Sequence, residues 1–302
     1  MPSLRAWLVS LHLKRTVKSK PLQDYDVRVL REQTDAVGPK RLPKGVIAES
    51  VNTGQVKGVW HKPKKRSDEN NAPVILFMHG GGYAFGSSKS HAGLTCALAL
   101  ECNASVFSLD YRMAPEAPFP AAVDDAVSTY CWLLAQRINP ERIVLSGDSA
   151  GGGLALALLL SIKEQDLPMP AGAVLYSPWT DLTVTGGSIE SNQKSEAMFQ
   201  KIHITEGAKR YLNGADPKTP TASPLYGDLA GLPPMIIFVS NSEVLRDDSI
   251  RLHERLIDLN VDADMIVEEG LPHDWPVFVG SLPEARRTIS QSAAFIKKIT
   301  GT

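Results

Sequence analysis

RIVLSGDSAGGGLALALLL, residues 142–160, joins an apolar strand-like run to an apolar helix-like run through the turn GDSAG (147–151). A G-x-S-x-G turn in this setting is typical of a nucleophile elbow, a tight bend from which the serine hydroxyl projects. Side chains two residues before and after the serine would collide there, so Gly147 and Gly151 are needed. The stretch lacks the spacings of phosphate-binding and dinucleotide-binding loops. It therefore predicts that Ser149 is a nucleophile at a helix start, where developing negative charge is favoured.

Outward from this turn, short apolar runs alternate with helical patterns. Eight runs predict strands: VIAESV (46–51), VKGVWHK (56–62), ILFMHG (75–80), SVFSLDY (105–111), RIVLSGD (142–148), AVLYSP (173–178), MIIFVS (235–240) and ADMIVEE (263–269). Five stretches predict helices: 91–102, 120–137, 150–165, 247–260 and 283–299. Such alternation is typical of a mostly parallel sheet with helices on both faces. The sequence thus predicts an α/β fold with a mostly parallel, eight-stranded sheet.

One region, 181–224, breaks this alternation, because it is helical and turn-rich and contains no convincing strand. A stretch of this length between sheet strands usually has a function. Ligands bind at the carboxyl edge of an open parallel sheet. We therefore expect 181–224 to cover this edge as a helical cap, together with N-terminal helices in 1–40. The core would then comprise 41–180 and 225–302.

The composition of the 302-residue chain indicates a globular protein. It is 43% hydrophobic with a formal net charge of −1, which favours neither nucleic acid nor an anionic membrane as the main partner. No segment predicts a bilayer span or stable membrane insertion. Apolar residues recur near helical spacing at the start of the chain and predict an amphipathic helix, not a signal peptide: Leu4, Trp7, Leu8, Leu11 and Val17.

Three cysteines without metal-site spacing predict buried thiols in a reducing, cytoplasmic compartment: Cys96, Cys102 and Cys131. We expect no metal ion and no cofactor.

A second glycine-rich turn, HGGGYAFGS (79–87), follows a predicted strand. An ester carbonyl attacked by Ser149 would become a tetrahedral oxyanion, whose charge needs pre-oriented donors about 3 Å away. The residue after the nucleophile, Ala150, supplies one backbone N–H, and a loop of the HGGG type supplies others. The backbone N–H groups of Gly81, Gly82 and Ala150 are therefore the predicted oxyanion hole.

The position of the catalytic base follows from chain order. In this type of fold the histidine comes after both the serine and the acid, in a loop beyond the last strands. Of seven histidines, only His273, in EEGLPHDW (268–275), meets this condition. We expect His79 to hold its loop through hydrogen bonds to nearby backbone, and His253 to be a surface residue of a helix. We expect the pKa of His273 to lie close to its ordinary value of about 6.5, so activity should fall in acid.

Five blocks, present together and in order, resemble the bacterial hormone-sensitive-lipase family of α/β-hydrolases. They are HGGGYAFGS (79–87), YRMAPEAPFPAAVDDA (111–126), GDSAGGG (147–153), SPLYGDLAGLPP (223–234) and GLPHDW (270–275). The resemblance extends from about residue 40 to the C-terminus. It implies the α/β-hydrolase fold, and a serine carboxylesterase whose helical cap is built from the N-terminus and an insertion at about 181–224.

The acid of the triad should precede His273 and lie in NSEVLRDDS (241–249). The similar family segment has an aspartate followed by Pro-Leu-Arg-Asp. Aligned on Leu-Arg-Asp (245–247), this aspartate falls on Glu243, which also stands at the end of a predicted strand. Glutamate serves as the acid in some triads. We therefore expect Glu243 to be the acid, with Asp247 as the alternative.

The expected activity is hydrolysis of short- to medium-chain acyl esters through Ser149, His273 and Glu243. Tyr83, Trp179 and Phe199 are candidate walls of the substrate pocket, although such residues are also ordinary core. Two alternatives stay open, because one triad serves acyl transfer in general. The chain would then be an amide or formamide hydrolase, or a non-catalytic small-molecule receptor on this fold. Members of the resembled family often dimerise through the last strand, which makes a homodimer an expectation here.

Overall fold

The computed structural model describes residues 1–20, 26–65 and 72–302. One sheet of eight strands forms the centre of these residues, with the following bounds: β1 Val46–Asn52, β2 Lys57–Pro63, β3 Val74–Met78, β4 Ser105–Leu109, β5 Ile143–Asp148, β6 Gly172–Tyr176, β7 Met235–Ser240 and β8 Ala263–Glu268. The strand order is β1-β2-β4-β3-β5-β6-β7-β8. Strand β2 is antiparallel to both of its neighbours, and all other pairs are parallel. The predicted eight-stranded, mostly parallel sheet is confirmed.

Nine α-helices occur in the described residues: α1 Leu4–Leu13, α2 Val27–Val37, α3 Ala92–Cys102, α4 Ala121–Ala135, α5 Ala150–Glu164, α6 Ser188–Ser191, α7 Lys201–Leu212, α8 Arg246–Asp258 and α9 Pro283–Thr300. Helices α4, α5 and α8 pack on one face of the sheet, and α3 and α9 pack on the other. The sequence therefore located all five core helices correctly, with ends that differ by one to a few residues.

The centre of the sheet shows why the strands are apolar throughout. All five residues of β3 are buried. Leu76 and Met78 contact the core beneath α4 and α5, whereas Ile75 and Phe77 point to the opposite core beneath α3 and α9. Successive side chains of a strand alternate between faces, so a strand covered on both sides needs apolar residues at every position. Because the strands from β3 to β7 in this part of the sheet run parallel, the carboxyl ends of β3, β5 and β7 lie at the same edge of the sheet.

The N-terminal segment contacts the region that interrupts the core. Residues 181–224, all of which the structure describes, contain α6 and α7 and no strand. Lys14 Nζ donates to the carbonyl oxygen of Lys194 at 3.1 Å, and Gln200 Nε2 donates to the carbonyl oxygen of Lys18 at 2.8 Å. We call 181–224 the insertion. The division into cap and core remains a prediction, and the predicted N-terminal range 1–40 includes residues 21–25, which lie outside the described residues.

One cysteine prediction was wrong. Cys96 and Cys102 are buried free thiols, but Cys131 is exposed. It lies on α4, where an apolar sequence context does not by itself show which residues face the core. In the described part of the chain, no helix is long and apolar enough to cross a membrane.

Candidate active site

Ser149 lies in a strained bend between β5 and α5. Its backbone angles are φ 52° and ψ −119°, which is uncommon for a residue with a side chain. A Cβ atom at Gly147 would lie 2.3 Å from the carbonyl oxygen of Gly151, and one at Gly151 would lie 2.0 Å from that of Met78. Both contacts are too short for real atoms, so this bend requires glycine at 147 and 151. Ser149 is 5% exposed.

The HGGG loop leaves β3 beside this bend. Gly81 and Gly82 have φ values of +116° and +58°, a region that favours glycine. A Cβ atom at Gly81 would lie 2.0 Å from the carbonyl oxygen of Phe85, whereas one at Gly82 would meet no atom within 4 Å. The loop therefore closes tightly at Gly81 and leaves space beside Gly82. Ala150 is the first residue of α5 and is fully buried.

A buried ion pair connects the bend to the loop. Asp148 Oδ1 accepts the backbone N–H of Gly80 at 3.0 Å, and its Oδ2 lies 3.1 Å from His91 Nε2. Burial acts to raise the pKa of Asp148, but the charge and hydrogen bond of His91 outweigh it, so the pKa lies below its usual range. The pKa of His91 is raised: burial lowers it, and Asp148 more than offsets that effect. Sequence reasoning missed this pair, since no local spacing connects positions 91 and 148.

The contacts of His79 are with the backbone of its own loop and with a neighbouring aromatic ring. Its Nδ1 lies 2.8 Å from the carbonyl oxygen of Gly80, to which the ring N–H donates. The ring stacks on Tyr111 at 4.3 Å between centroids, and the Tyr111 hydroxyl donates to the His79 carbonyl oxygen at 2.7 Å. Burial, with a further contribution from the charge of His91, lowers the pKa of His79 to about 4. These contacts are those expected of a residue that holds its loop.

His273 and Glu243 meet at the rim of the sheet. His273 Nδ1 lies 2.6 Å from Glu243 Oε2, and both side chains are buried. The other carboxylate oxygen, Glu243 Oε1, accepts the Ser177 hydroxyl at 2.8 Å and the Ser240 backbone N–H at 2.7 Å. These contacts place the Glu243 carboxylate against the ring nitrogen opposite Nε2. The described geometry thus brings together a glutamate and a histidine that are 30 residues apart in sequence.

Asp247, the alternative acid, makes different contacts. Its Oδ2 accepts the backbone N–H of Ser188 at 2.8 Å, and its Oδ1 accepts Nε of Arg246 at 2.9 Å. Burial acts to raise the pKa of Asp247, but these hydrogen bonds lower it overall. This carboxylate connects α8 to the insertion, and within the described residues it forms no hydrogen bond or ion pair with His273.

A second carboxylate lies at the other ring nitrogen of His273. Asp274 Oδ2 is 3.0 Å from His273 Nε2, and Asp274 has φ 53°. Burial lowers the pKa of His273, but the charges of Asp274 and Glu243 outweigh it and raise that pKa well above 6.5. The expectation of a nearly unperturbed histidine was therefore wrong. Burial raises the pKa of Asp274 to about 7. Sequence reasoning missed this contact, because adjacency to His273 does not predict which nitrogen a side chain approaches.

The insertion holds the loop that carries Glu243. Asn192 Nδ2 donates to the carbonyl oxygens of Asn241, at 2.9 Å, and Glu243, at 2.7 Å. The buried carboxylate of Glu196 accepts the backbone N–H of Val244 at 3.0 Å. Burial raises the pKa of Glu196. Neither Asn192 nor Glu196 stood out in the sequence, because their partners are about 50 residues away.

The three candidate pocket residues all lie near these groups. Tyr83 stacks on Tyr211 of the insertion, with ring centroids 3.7 Å apart, and its ring centroid is 6.3 Å from that of Trp179. Phe199, also in the insertion, meets the ring of His273 edge-on at 5.2 Å. The structure therefore places Tyr83 and Trp179 in one aromatic group and Phe199 on His273. Their contact with substrate remains a prediction.

The sheet order and the serine-bearing bend between β5 and α5 define an α/β-hydrolase. Comparison with known proteins supports this class: residues 75–277 match the model of a protein family whose members have the alpha/beta hydrolase fold. The chain is 39% identical over 267 residues to an acetyl-hydrolase of Streptomyces hygroscopicus, covering 88% of this chain and 87% of that protein. It is also 39% identical over 223 residues to an esterase of Acinetobacter venetianus, covering 74% of each.

Solved structures narrow the family further. An esterase from the bacterial hormone-sensitive lipase family superposes with a TM-score of 0.91 at 36% identity, over all of both chains. The structure of EstE5 soaked with p-nitrophenyl butyrate superposes with a TM-score of 0.93 at 35% identity, over 99% of this chain and all of that one. The chain belongs to the hormone-sensitive-lipase family of α/β-hydrolases. It is a carboxylic ester hydrolase, so the family resemblance seen in the sequence is confirmed.

Proposed function

We propose that the chain hydrolyses short- to medium-chain acyl esters with Ser149 as nucleophile, His273 as base and Glu243 as acid. The observation that carries this assignment is the 2.6 Å contact between His273 Nδ1 and Glu243 Oε2. A carboxylate in this position keeps the proton on Nδ1, so Nε2, the nitrogen that Asp274 Oδ2 approaches at 3.0 Å, is the one that acts on the nucleophile. Because Asp247 is bound to Ser188 and Arg246, the geometry supports Glu243 over Asp247.

The reaction follows the acyl-enzyme route. His273 Nε2 takes the proton of the Ser149 hydroxyl as its oxygen attacks the ester carbonyl, and Glu243 stabilises the imidazolium that forms. The backbone N–H groups of Gly81, Gly82 and Ala150 donate to the oxyanion. The alcohol leaves with the proton from His273. Water, deprotonated by the same histidine, then attacks the acyl-enzyme. The Ser149 oxygen leaves with the proton from His273, and the carboxylic acid product is released.

The acyl-chain preference is supported by the relatives. One similar protein is named an acetyl-hydrolase, and one similar structure was soaked with a butyrate ester. For this chain we therefore infer a preference for acyl groups of a few carbons, in a pocket with walls that include Tyr83, Trp179 and Phe199. The insertion and the N-terminal helices would form its cap. The retained His273 and Glu243 favour an enzyme over a non-catalytic receptor.

A series of p-nitrophenyl esters with rising acyl length tests the proposal. We expect kcat/KM to be greatest at short to medium length, and Ser149→Ala to abolish turnover. Amide and formamide substrates, measured in parallel, distinguish the bond that is cleaved. The receptor alternative predicts a different result. The parent protein would turn over no acyl substrate, and Ser149→Ala would bind the ester with the same affinity as the parent.

The location and assembly of the protein are part of the same proposal. We infer a cytoplasmic homodimer that pairs through β8, which among the described residues has a neighbouring strand on one side only. An edge strand presents unpaired backbone groups, and Val267 is 44% exposed there. Light scattering after gel filtration tests the dimer, and Val267→Lys should yield a monomer.

A further inference from the structure

The first helix carries an apolar stripe that faces solvent. Helix α1 buries Ala6 and Leu13, whereas Leu4, Trp7 and Leu8 are 72%, 54% and 51% exposed. Positions three and four residues apart lie on one face of a helix. These three side chains, which we call the α1 stripe, therefore form a continuous surface. Single exposed apolar side chains are ordinary, but contiguous ones mark an interaction surface.

The α1 stripe is also unusual within this molecule. Thirteen large apolar side chains are exposed in the described part of the chain, and four of them, including Met1, lie in the first eight residues. The remaining nine are scattered from Val29 to Val267. A compact protein gains stability by burying such side chains, so their concentration on one helix calls for a partner.

The charge of the same segment is strongly positive. Residues 1–20 contain five basic residues and no acidic residue: Arg5, Lys14, Arg15, Lys18 and Lys20. Because the whole chain has a formal net charge of −1, the rest of it has a net charge of −6. The side chain of Lys18 is bound to the insertion, whereas Arg15 and Lys20 are exposed. The near-neutral total thus conceals a basic segment beside the apolar stripe.

The segment lies close to the candidate active site. Gln200 Nε2 donates to the carbonyl oxygen of Lys18 at 2.8 Å, and the adjacent residue, Phe199, packs against His273. A partner surface that binds residues 1–20 would therefore lie near the side of the candidate active site that Phe199 forms.

We propose that the α1 stripe docks on the surface of a lipid bilayer that contains anionic lipids. The leucines and the tryptophan enter the boundary between headgroups and acyl chains, and the basic residues face the headgroups. An amphipathic helix with Trp and Leu on one face and Lys and Arg beside them binds interfaces in this way. The occupant is a lipid surface rather than a second copy of this chain, because an identical basic segment would repel it.

Sedimentation with vesicles tests this docking in the Ser149→Ala protein, so that binding is measured without turnover. We expect the protein to pellet with phosphatidylcholine vesicles that contain about one third phosphatidylglycerol, and less at high salt. Leu4→Gln with Leu8→Gln should lower the partition coefficient about tenfold or more. The matched control is Ile257→Gln with Leu259→Gln, an exposed apolar pair at the C-terminal end of α8, which should leave partitioning unchanged.

The charge contribution has its own variant. Arg15→Gln with Lys20→Gln should weaken binding to vesicles with phosphatidylglycerol and leave the weak binding to pure phosphatidylcholine unaltered. The proposal is overturned if the parent does not pellet, or if the stripe variant pellets equally well. It is also overturned if the parent is a dimer in solution that the stripe variant converts to monomer while neither binds vesicles. In protein that retains Ser149, the stripe variant should hydrolyse a soluble ester normally, which separates this proposal from that of the activity.

Discussion

The two sides of the candidate active site are built differently. On the nucleophile side, Ser149 and the HGGG loop are shaped by Gly81, Gly147 and Gly151, where an added Cβ atom would meet backbone atoms. On the acid–base side, the loop of Glu243 is held by hydrogen bonds to side chains of the insertion. One side thus depends on close packing of backbone within the core, and the other depends on side chains from a distant segment. The difference teaches that a motif can encode one half of a site while long-range contacts position the other.

The largest expected effect tests the acid. Glu243→Gln should lower kcat by about 10³ to 10⁴, because the amide no longer holds the reactive tautomer of His273. Asp247→Asn is the matched control and should retain activity within about tenfold, since its carboxylate contacts Ser188 and Arg246. Steady-state kinetics with a p-nitrophenyl ester provides the measurement. If Asp247→Asn is the more damaging change, the assignment of the acid is wrong.

The next effect tests the nucleophile side. Asp148→Ala removes the acceptor of the Gly80 N–H and the partner of His91. A loop that shifts as a result would misplace the oxyanion donors, and loss of one such donor typically costs about 10² to 10³ in rate. We expect kcat to fall by about a hundredfold. Tyr111→Phe, which removes one hydrogen bond to His79, is the control and should have a small effect. Equal losses in the two variants would contradict a specific role for Asp148.

A smaller effect should follow on the acid–base side. Glu196→Ala leaves the buried N–H of Val244 without its acceptor and loosens the loop beside Glu243. We expect kcat to fall by about tenfold with KM nearly unchanged, because a positioning contact is lost and no substrate contact is. Ser195→Ala removes an exposed hydrogen bond to Ser242 and serves as the control. A rise in KM at constant kcat would instead show that Glu196 contributes to the pocket.

The smallest effect concerns pH. The pKa of His273 is raised by Asp274 and Glu243, so the ring stays protonated, and inactive as a base, to a higher pH than usual. The acid limb of kcat/KM should therefore lie above pH 6.5, with activity lost as pH falls through the raised pKa. Asp274→Asn removes one of the two charges and should move this limb to lower pH, and Asn tolerates the positive φ at 274. A limb that does not move would exclude Asp274 as a determinant of the pKa.

The sheet was predictable because its signals are local. The strand runs and the alternating helices appeared at the right places, since apolar periodicity depends on neighbouring residues alone. The bend at Ser149 was predictable because its signals, the two glycines and the apolar runs on either side of them, lie within one short stretch of sequence. His273 followed from chain order, and Glu243 from a family resemblance at Leu-Arg-Asp (245–247). The strand order and the ion pair of Asp148 with His91 were not predictable, because both depend on contacts between segments that are far apart in the chain.

The chain by itself determined where strands, helices and the two glycine turns form, because these depend on sterics and periodicity over a few residues. Only the tertiary structure decided that Asp274 approaches Nε2 of His273 and raises its pKa, and that Glu196 and Asn192 hold the loop of Glu243. It also decided that Leu4, Trp7 and Leu8 remain exposed. Burial, distance and charge at a residue are set by whatever packs around it, and those neighbours come from segments that no local pattern identifies.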